Sequence, residues 1–358
     1  MSVSLQATSV SGSYCSNNLI TRVQYLTLPK YGAPGIPPAA VPQGSIWYNS
    51  VNDYIMSQTC ICVSTAPAWS TGGNMGACRR FGGGAGTLNA GLAAFGLGVT
   101  PVGNQATSQE YDGTTWSNSN SATTARYAVG MGGNQNDAIA MGGAAPAAST
   151  SHEKYNGTNW ANCTASPVAS AWWVAGVNSA NVAYFAGGGP TNVCTVCVAT
   201  NTWTGRANLT TGRVSGGNAG AGDATTFLFT ANGNTATNVS ECYQATPNTW
   251  TTKANAPVSL RNASAWGTAN AAMNVGGRTP GTTTCALFFN GSTNAWSACA
   301  AMPASVFGML PSNKGSENAG FVAGGQNPSQ CTTYEFQTGL ACTGVCVCWC
   351  RKGPYNPF

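Results

Sequence analysis

Short apolar runs alternate with polar, Gly- and Asn-rich segments along this chain, and the alternation has a long period. The runs AAFGLG (93–98), AIAMGG (138–143), AYFAGG (183–188), FLFTANG (227–233), AAMNVGG (271–277) and GFVAGG (320–325) each finish in small residues. An aromatic or apolar position follows each run: Tyr111, Tyr155, Val198, Tyr243, Phe289 and Tyr334. A tryptophan closes each unit, at Trp69, Trp116, Trp160, Trp203, Trp250 and Trp296, with spacings of 47, 44, 43, 47 and 46 residues. About ten residues after each Trp stands one further recurring position: Arg79, Arg126, Ser170, Arg213, Arg261 and Val306. This order predicts four short strands per unit. The Arg-led segment is the innermost strand, the apolar run the second, the Tyr segment the third, and Trp opens the fourth. Asp112-Gly113, Asn156-Gly157 and Asn290-Gly291 are hairpin signals between the third and fourth strands.

One such unit cannot bury both faces of its own sheet. Repeated around an axis, each sheet covers its neighbour, and only short, protected edges remain. The expected fold is therefore all-β, a β-propeller over residues 44–341 with the repeats in 69–334. The first three strands occur six times, whereas candidates for the fourth number seven. Six blades are expected, with the strand ending at Trp69 closing the last one. Seven blades, with residues 44–69 opening a degenerate extra blade, remain the alternative. Residues 1–43 do not repeat and carry Pro29, Pro34, Pro37, Pro38 and Pro42, which reads as an extended N-terminal arm. Residues 342–358 form a Cys-rich C-terminal tail with Cys342, Cys346, Cys348 and Cys350.

Composition and the chain's ends then change the picture. Charged residues make up only 6% of the 358, so solubility rests on Ser, Thr, Asn, Gln and backbone. The net charge of +5 is spread thinly, without the basic stripe that a nucleic-acid binder shows. No run of about 18 apolar residues occurs, so no membrane insertion is expected. The N-terminal residues lack the charged start and apolar stretch of a secretory signal. The 15 cysteines are an odd number, which leaves at least one unpaired or shared between chains.

Candidate chemistry sits at few places. Glu110, Glu153 and Glu241 fall one or two residues before the third-strand aromatic. Opposite Arg79, Arg126, Arg213 and Arg261 they read as repeated, partly buried ion pairs that fix register. If the hairpin is centred on residues 290–294, Cys285 faces Cys299, and the equivalent turn brings Cys331 near Cys342. Both are candidate disulfides. Cys60 and Cys62 against Cys346, Cys348 and Cys350 would staple the ends of the ring. Cys194-x-x-Cys197 is half of a zinc spacing without a second half nearby. No metal and no cofactor are expected. Trp172, Trp173 and Trp266 lie on or beside the innermost strand, outside the closing-Trp position. They are the candidates for stacking on a sugar.

The double Gly, then Tyr, then Trp resembles the kelch family, over roughly 260 residues. Copper oxidases on that fold need two His, and this chain has His152 alone. Propeller sialidases need an Arg cluster with acidic partners, and acidic residues are scarce here. GSIWYNSVNDYIM (44–56), AWSTGGNMGACRRFGGGAG (68–86) and SQEYDGTTWSNSNSATTARYAVGMGGNQNDAIAMGG (108–143) are similar to kelch-like structural proteins of marine and cyanobacterial bacteriophages. That resemblance implies a non-enzymatic virion protein: a tail fibre, adhesin or decoration protein. It would bind other virion proteins through its arm, form a homo-oligomer and contact host surface glycans. A carbohydrate-active enzyme on the same fold, or a self-assembling extracellular filament protein, are the alternatives.

Overall fold

The computed structural model describes residues 4–5, 26–27, 30–31, 46–49, 54–99, 102–179, 182–188, 194–197, 201–213, 220–223, 225–230, 233, 236–327, 330–347 and 350–351. The chain divides into two compact units, one of Ala66–Thr338 and one of Met1–Thr65 with Gly339–Phe358. In the second of these, Ser4–Leu5 pairs with Leu26–Thr27. Lys30–Tyr31 runs parallel to Ile46–Asn49, which in turn pairs antiparallel with the Tyr54 end of the strand Tyr54–Gly72.

Within 66–338 the described structure is all-β. Five sheets have four antiparallel strands each. The first is Gly83–Thr87, Ala90–Ala94, Ser108–Tyr111 and Trp116–Ser119. The second is Gly130–Asn134, Asp137–Met141, His152–Tyr155 and Trp160–Asn162. The third is Trp173–Ser179, Val182–Gly187, Cys194–Cys197 and Trp203–Arg206. The fourth is Gly220–Gly222, Thr226–Phe229, Ser240–Gln244 and Thr249–Lys253. The fifth is Ser264–Thr268, Ala271–Val275, Ala286–Asn290 and Ala295–Ala298. A sixth begins with Leu310–Pro311, Ala319–Ala323 and Thr333–Val347, and its fourth strand is Tyr54–Gly72, from the other end of the chain.

The sheets follow one another in a closed cycle. Each innermost strand contacts the innermost strand of the next sheet, and the sixth contacts the first. The approach is close enough that a Cβ on Gly84 would overlap the Pro311 carbonyl oxygen. The closing tryptophans seal the cycle further out. Each indole N–H donates to the preceding sheet: Trp116 to Thr333 Oγ1 at 2.8 Å, Trp160 to Ser108 Oγ at 3.1 Å, Trp203 to the Thr164 carbonyl at 3.0 Å. Trp250 donates to the Ala207 carbonyl at 2.9 Å, Trp296 to the Ala254 carbonyl at 3.0 Å, and Trp69 to the Ala300 carbonyl at 2.8 Å. Trp69 therefore does for the sixth sheet what the other five do for theirs.

The third-strand aromatics fill the wedges between sheets. Tyr111, Tyr155 and Tyr243 are buried, with Tyr184 of the third sheet stacked on Tyr243 at 4.2 Å. Two hydroxyls reach the preceding sheet: Tyr111 donates to Glu335, and Tyr155 donates to Glu110 at 2.5 Å. Burial and the Glu335 carboxylate push the Tyr111 phenol well above its ordinary value. In the sixth sheet the position is held by Phe336, opposite Gly320 as Tyr111 is opposite Gly91. Tyr334 lies two residues earlier.

The cysteine pairings differ from the expected ones. Cys78 is bonded to Cys331, across a sequence separation of 253. Cys331 is therefore not paired with Cys342. Cys285 and Cys299 are free. The hairpin pairs Asn290 with Ala295, and the Cys299 N–H bonds to the Ala286 carbonyl at 2.9 Å, one residue away from the expected register. A one-residue shift sends the two thiols to opposite faces, and they join different apolar clusters. The side chains of Cys60, Cys62, Cys342, Cys346 and Cys350, and residues Val198 and Cys348, lie outside the described residues.

Two predictions follow from this architecture. The Cys78–Cys331 bond ties the start of the first sheet to the loop before the last third strand, so it closes nearly the whole cycle. Cys78→Ser is expected to lower stability by about 2–5 kcal/mol, read as a drop in denaturant midpoint. The second concerns His152, the chain's one histidine. It is buried, its Nδ1–H donates to the Thr164 carbonyl at 3.0 Å, and its ring meets Trp203 edge-on. Burial, reinforced by Lys154 and Arg126, lowers its pKa from 6.5 to about 4. The unfolded chain thus takes up this proton near pH 6.5 and the folded chain only near 4, so stability falls as pH drops through that window. Unfolding midpoints between pH 7 and about 5 should decline in the natural protein, and His152→Gln should flatten that decline.

Candidate functional site

The recurring Arg position is filled in more than one way. Arg126 meets Glu153 at 2.5 Å, with both side chains fully buried. Arg213 meets Glu241 at 2.9 Å. Arg79 does not pair with Glu110. Its Nη1 donates to the Thr107 carbonyl at 2.6 Å and the Phe95 carbonyl at 3.3 Å, and its Nη2 to Thr107 Oγ1 at 2.9 Å. Gln109 stands where Glu153 stands in the second sheet, and burial holds the Arg79 guanidinium down at about 10. Glu110 is one residue further along and takes the Tyr155 hydroxyl instead. Arg261 is displaced by one position. The Leu260 N–H bonds to the Thr237 carbonyl as Arg126 N–H bonds to that of Gln105, so Leu260 is the counterpart of Arg126. Leu260 shares a buried cluster with Leu287, and Val306 shares one with Tyr334. Two sheets therefore carry an apolar pair where two others carry an ion pair.

Trp173 and Trp266 are core residues, 1% and 0% exposed. They sit on the innermost strands and face the neighbouring sheet. A Cβ on Gly130 would press on Trp173, and one on Gly320 would overlap the Trp266 indole. Neither is available to stack on a sugar. Trp172 differs: it is half-buried and has φ +68°.

Trp172 belongs to a backbone ring at one end of the axis. Immediately before their innermost strands, Phe81, Ala128, Trp172, Asn262 and Gly308 all have φ between 56° and 68°. Each links to the next sheet's counterpart. Gly308 N–H donates to Asn262 at 2.9 Å, Phe81 to Gly308 at 2.8 Å, Ala128 to Phe81 at 2.7 Å, and Trp172 to Ala128 at 2.8 Å, all to carbonyls. The counterpart in the fourth sheet falls among residues 214–219, outside the described residues. Non-glycine residues in this conformation cost about 1–2 kcal/mol each, which the ring of bonds offsets.

Side chains converge on this mouth. The Phe81 and Trp172 rings meet edge-on at 5.1 Å, with Tyr127 5.8 Å from Trp172 and Phe307 5.9 Å from Phe81. The Arg80 guanidinium lies 5.7 Å from the Phe81 ring, and that of Arg278 lies 4.6 Å from Phe307. Arg261 and Arg278 face each other across an antiparallel bridge. Burial, followed by repulsion from Arg261, lowers the Arg278 pKa. Among the described residues no group of three or more His, Cys, Asp or Glu side chains is placed to hold a metal ion.

No protein-family model and no curated protein matches the chain. Among solved structures, one titled "Structure of YjhT" is similar, with a TM-score of 0.56 over 74% of this chain and 95% of that one. The fold is β-propeller-like. At 12% identity the likeness speaks to the fold alone.

The sequence of this propeller shows the mouth only in part. Trp172 was legible as a Trp outside the closing position. Phe81, Ala128, Asn262 and Gly308 share a conformation but no residue type, so nothing in the sequence groups them. The opposite end of the axis holds a cleft of about 180 Å³ lined by Asp223, Thr226, Asn270 and Lys314 among others. Its Asp223 carboxylate is engaged by the Thr225 and Thr226 N–H groups at 2.7 and 2.9 Å.

The ion pairs lend themselves to a direct test. Arg126→Leu leaves Glu153 buried without its cation and is expected to destabilise by about 3–5 kcal/mol. The double variant R126L/E153L imitates Leu260 and Leu287 and should recover much of that loss. Equilibrium urea unfolding of the two variants measures both effects.

Proposed function

We propose that this chain is a non-enzymatic bacteriophage virion protein, a tail fibre, adhesin or decoration protein. It displays a six-bladed kelch-like propeller that binds host surface saccharides through the Phe81–Trp172 mouth. The observation that carries the reading is this half-buried aromatic group, held rigidly on a hydrogen-bonded backbone ring at the axis. Aromatic rings offer apolar sugar faces a stacking surface, and pre-organisation limits the entropy lost on binding.

Two further features support it. The glutamates nearest the core are engaged structurally: Glu153 and Glu241 with arginines, Glu110 and Glu335 with tyrosine hydroxyls. They are not gathered as an acid–base pair. The Cys78–Cys331 bond suits a particle exposed to an oxidising medium. In this reading the Pro-bearing arm of residues 1–43 meets other virion proteins, and the chain forms a homo-oligomer on the particle.

Gold-labelled antibody against residues 66–338 is expected to decorate intact particles at one defined structure. Particles that carry no label would overturn the virion assignment. For the binding role, purified protein should adhere to host cells, and Trp172→Gly should abolish adhesion. Glycine suits φ +68° without strain, so the variant is expected to fold. Undiminished adhesion by folded W172G would remove the mouth from this role.

A further inference from the structure

We infer that the mouth selects an acidic saccharide, with Arg80, Arg261 and Arg278 taking its anionic group beside the aromatic surface. The inference rests on the saccharide-binding reading and adds the charge of the ligand.

The fold itself explains each of the three buried arginines. Arg126 and Arg213 face glutamates, and Arg79 donates to carbonyls. The three at the mouth have no such account. None is ion-paired among the described residues. The Nε atoms of Arg80 and Arg278 are buried with no hydrogen-bond partner among those residues. Arg261 and Arg278 sit directly opposite each other across a bridge, an arrangement that like charges disfavour. A bound carboxylate, sulfate or phosphate removes each difficulty at once. It takes bidentate bonds from guanidinium edges and cancels the repulsion between Arg261 and Arg278.

The aromatic neighbours fit the same role. Arg278 lies over Phe307 and Arg80 near Phe81, so ring faces hold the guanidinium groups. Both Phe rings join the Phe81–Trp172–Tyr127 group. Cationic and stacking surfaces are thus continuous, which is what a sugar ring carrying an acidic substituent requires.

Calorimetric titration with three tetrasaccharides tests this: galactose, galacturonic acid and sulfated galactose. The acidic pair is expected to bind at least about tenfold more tightly than the neutral one, with an affinity that falls as salt rises. The ratio between the carboxylated and sulfated arms identifies the anionic group. R261Q and R278Q should each weaken acidic binding by about tenfold, while Arg206→Gln on the outermost strand of the third sheet should have no effect. Thermal melts establish that each variant is folded. Equal binding of neutral and acidic probes, lost in W172G, would overturn the inference and leave the saccharide reading standing. Acidic binding that survives in R80Q/R261Q/R278Q would also overturn it. Acidic binding lost in that triple variant but intact in W172G would keep the anion site and overturn the stacking role. If no probe binds, both readings fall.

Discussion

The indole N–H of each closing tryptophan must find its acceptor in the preceding sheet. Everything else in residues 66–338 is arranged around that requirement. A four-stranded sheet with Tyr or Phe on its third strand cannot bury both faces alone. Its neighbour supplies the missing cover, and the Trp bond joins the two at their outer strands. Because the relation is directional, one sheet onto the last, it is satisfied everywhere only when the cycle closes. Trp69 precedes the first sheet in sequence and completes the sixth in space, bonding to Ala300. The Cys78–Cys331 bond reinforces the same junction covalently. Closure thus depends on chain ends far apart in sequence.

The position two residues before the third-strand aromatic shows how loosely side-chain chemistry is bound to that frame. Arg–Glu, Arg–carbonyl, Leu with Leu and Val with Tyr all occupy it. What the frame demands there is a filled, internally satisfied contact, and several chemistries meet it. The repeat was legible because Trp, Tyr and double Gly are tied to backbone geometry. The partner of each Arg was not, because the same slot accepts neutral pairs. Arg261 makes the point: it stands one residue past Leu260, and spacing from Trp250 alone could not tell the two apart.

Register errors elsewhere have the same physical source. The hairpin at residues 290–295 pairs one residue away from the register that its turn sequence suggests, and side chains alternate with a period of two. That single step turned Cys285 and Cys299 from facing partners into residues on opposite faces. Conversely, Cys78 and Cys331 carry no local signal, since their contact exists only once the cycle has closed. Trp173 and Trp266 failed as ligand candidates for a related reason. The tight packing of neighbouring innermost strands, where Gly130 and Gly320 leave room for an indole, was invisible until the sheets were in place.

The mouth follows from this division between frame and side chain. Its backbone ring repeats faithfully, with Asn262, Gly308, Phe81, Ala128 and Trp172 in one conformation. Its side chains do not repeat at all. A ring built only to close the axis would favour glycine at each left-handed position, as at Gly308. Phe81 and Trp172 stand there instead, beside arginines that have no ion pair among the described residues. Strain held in place by surrounding structure and unmatched charge meet at one spot, and that coincidence is what separates a site from a repeat.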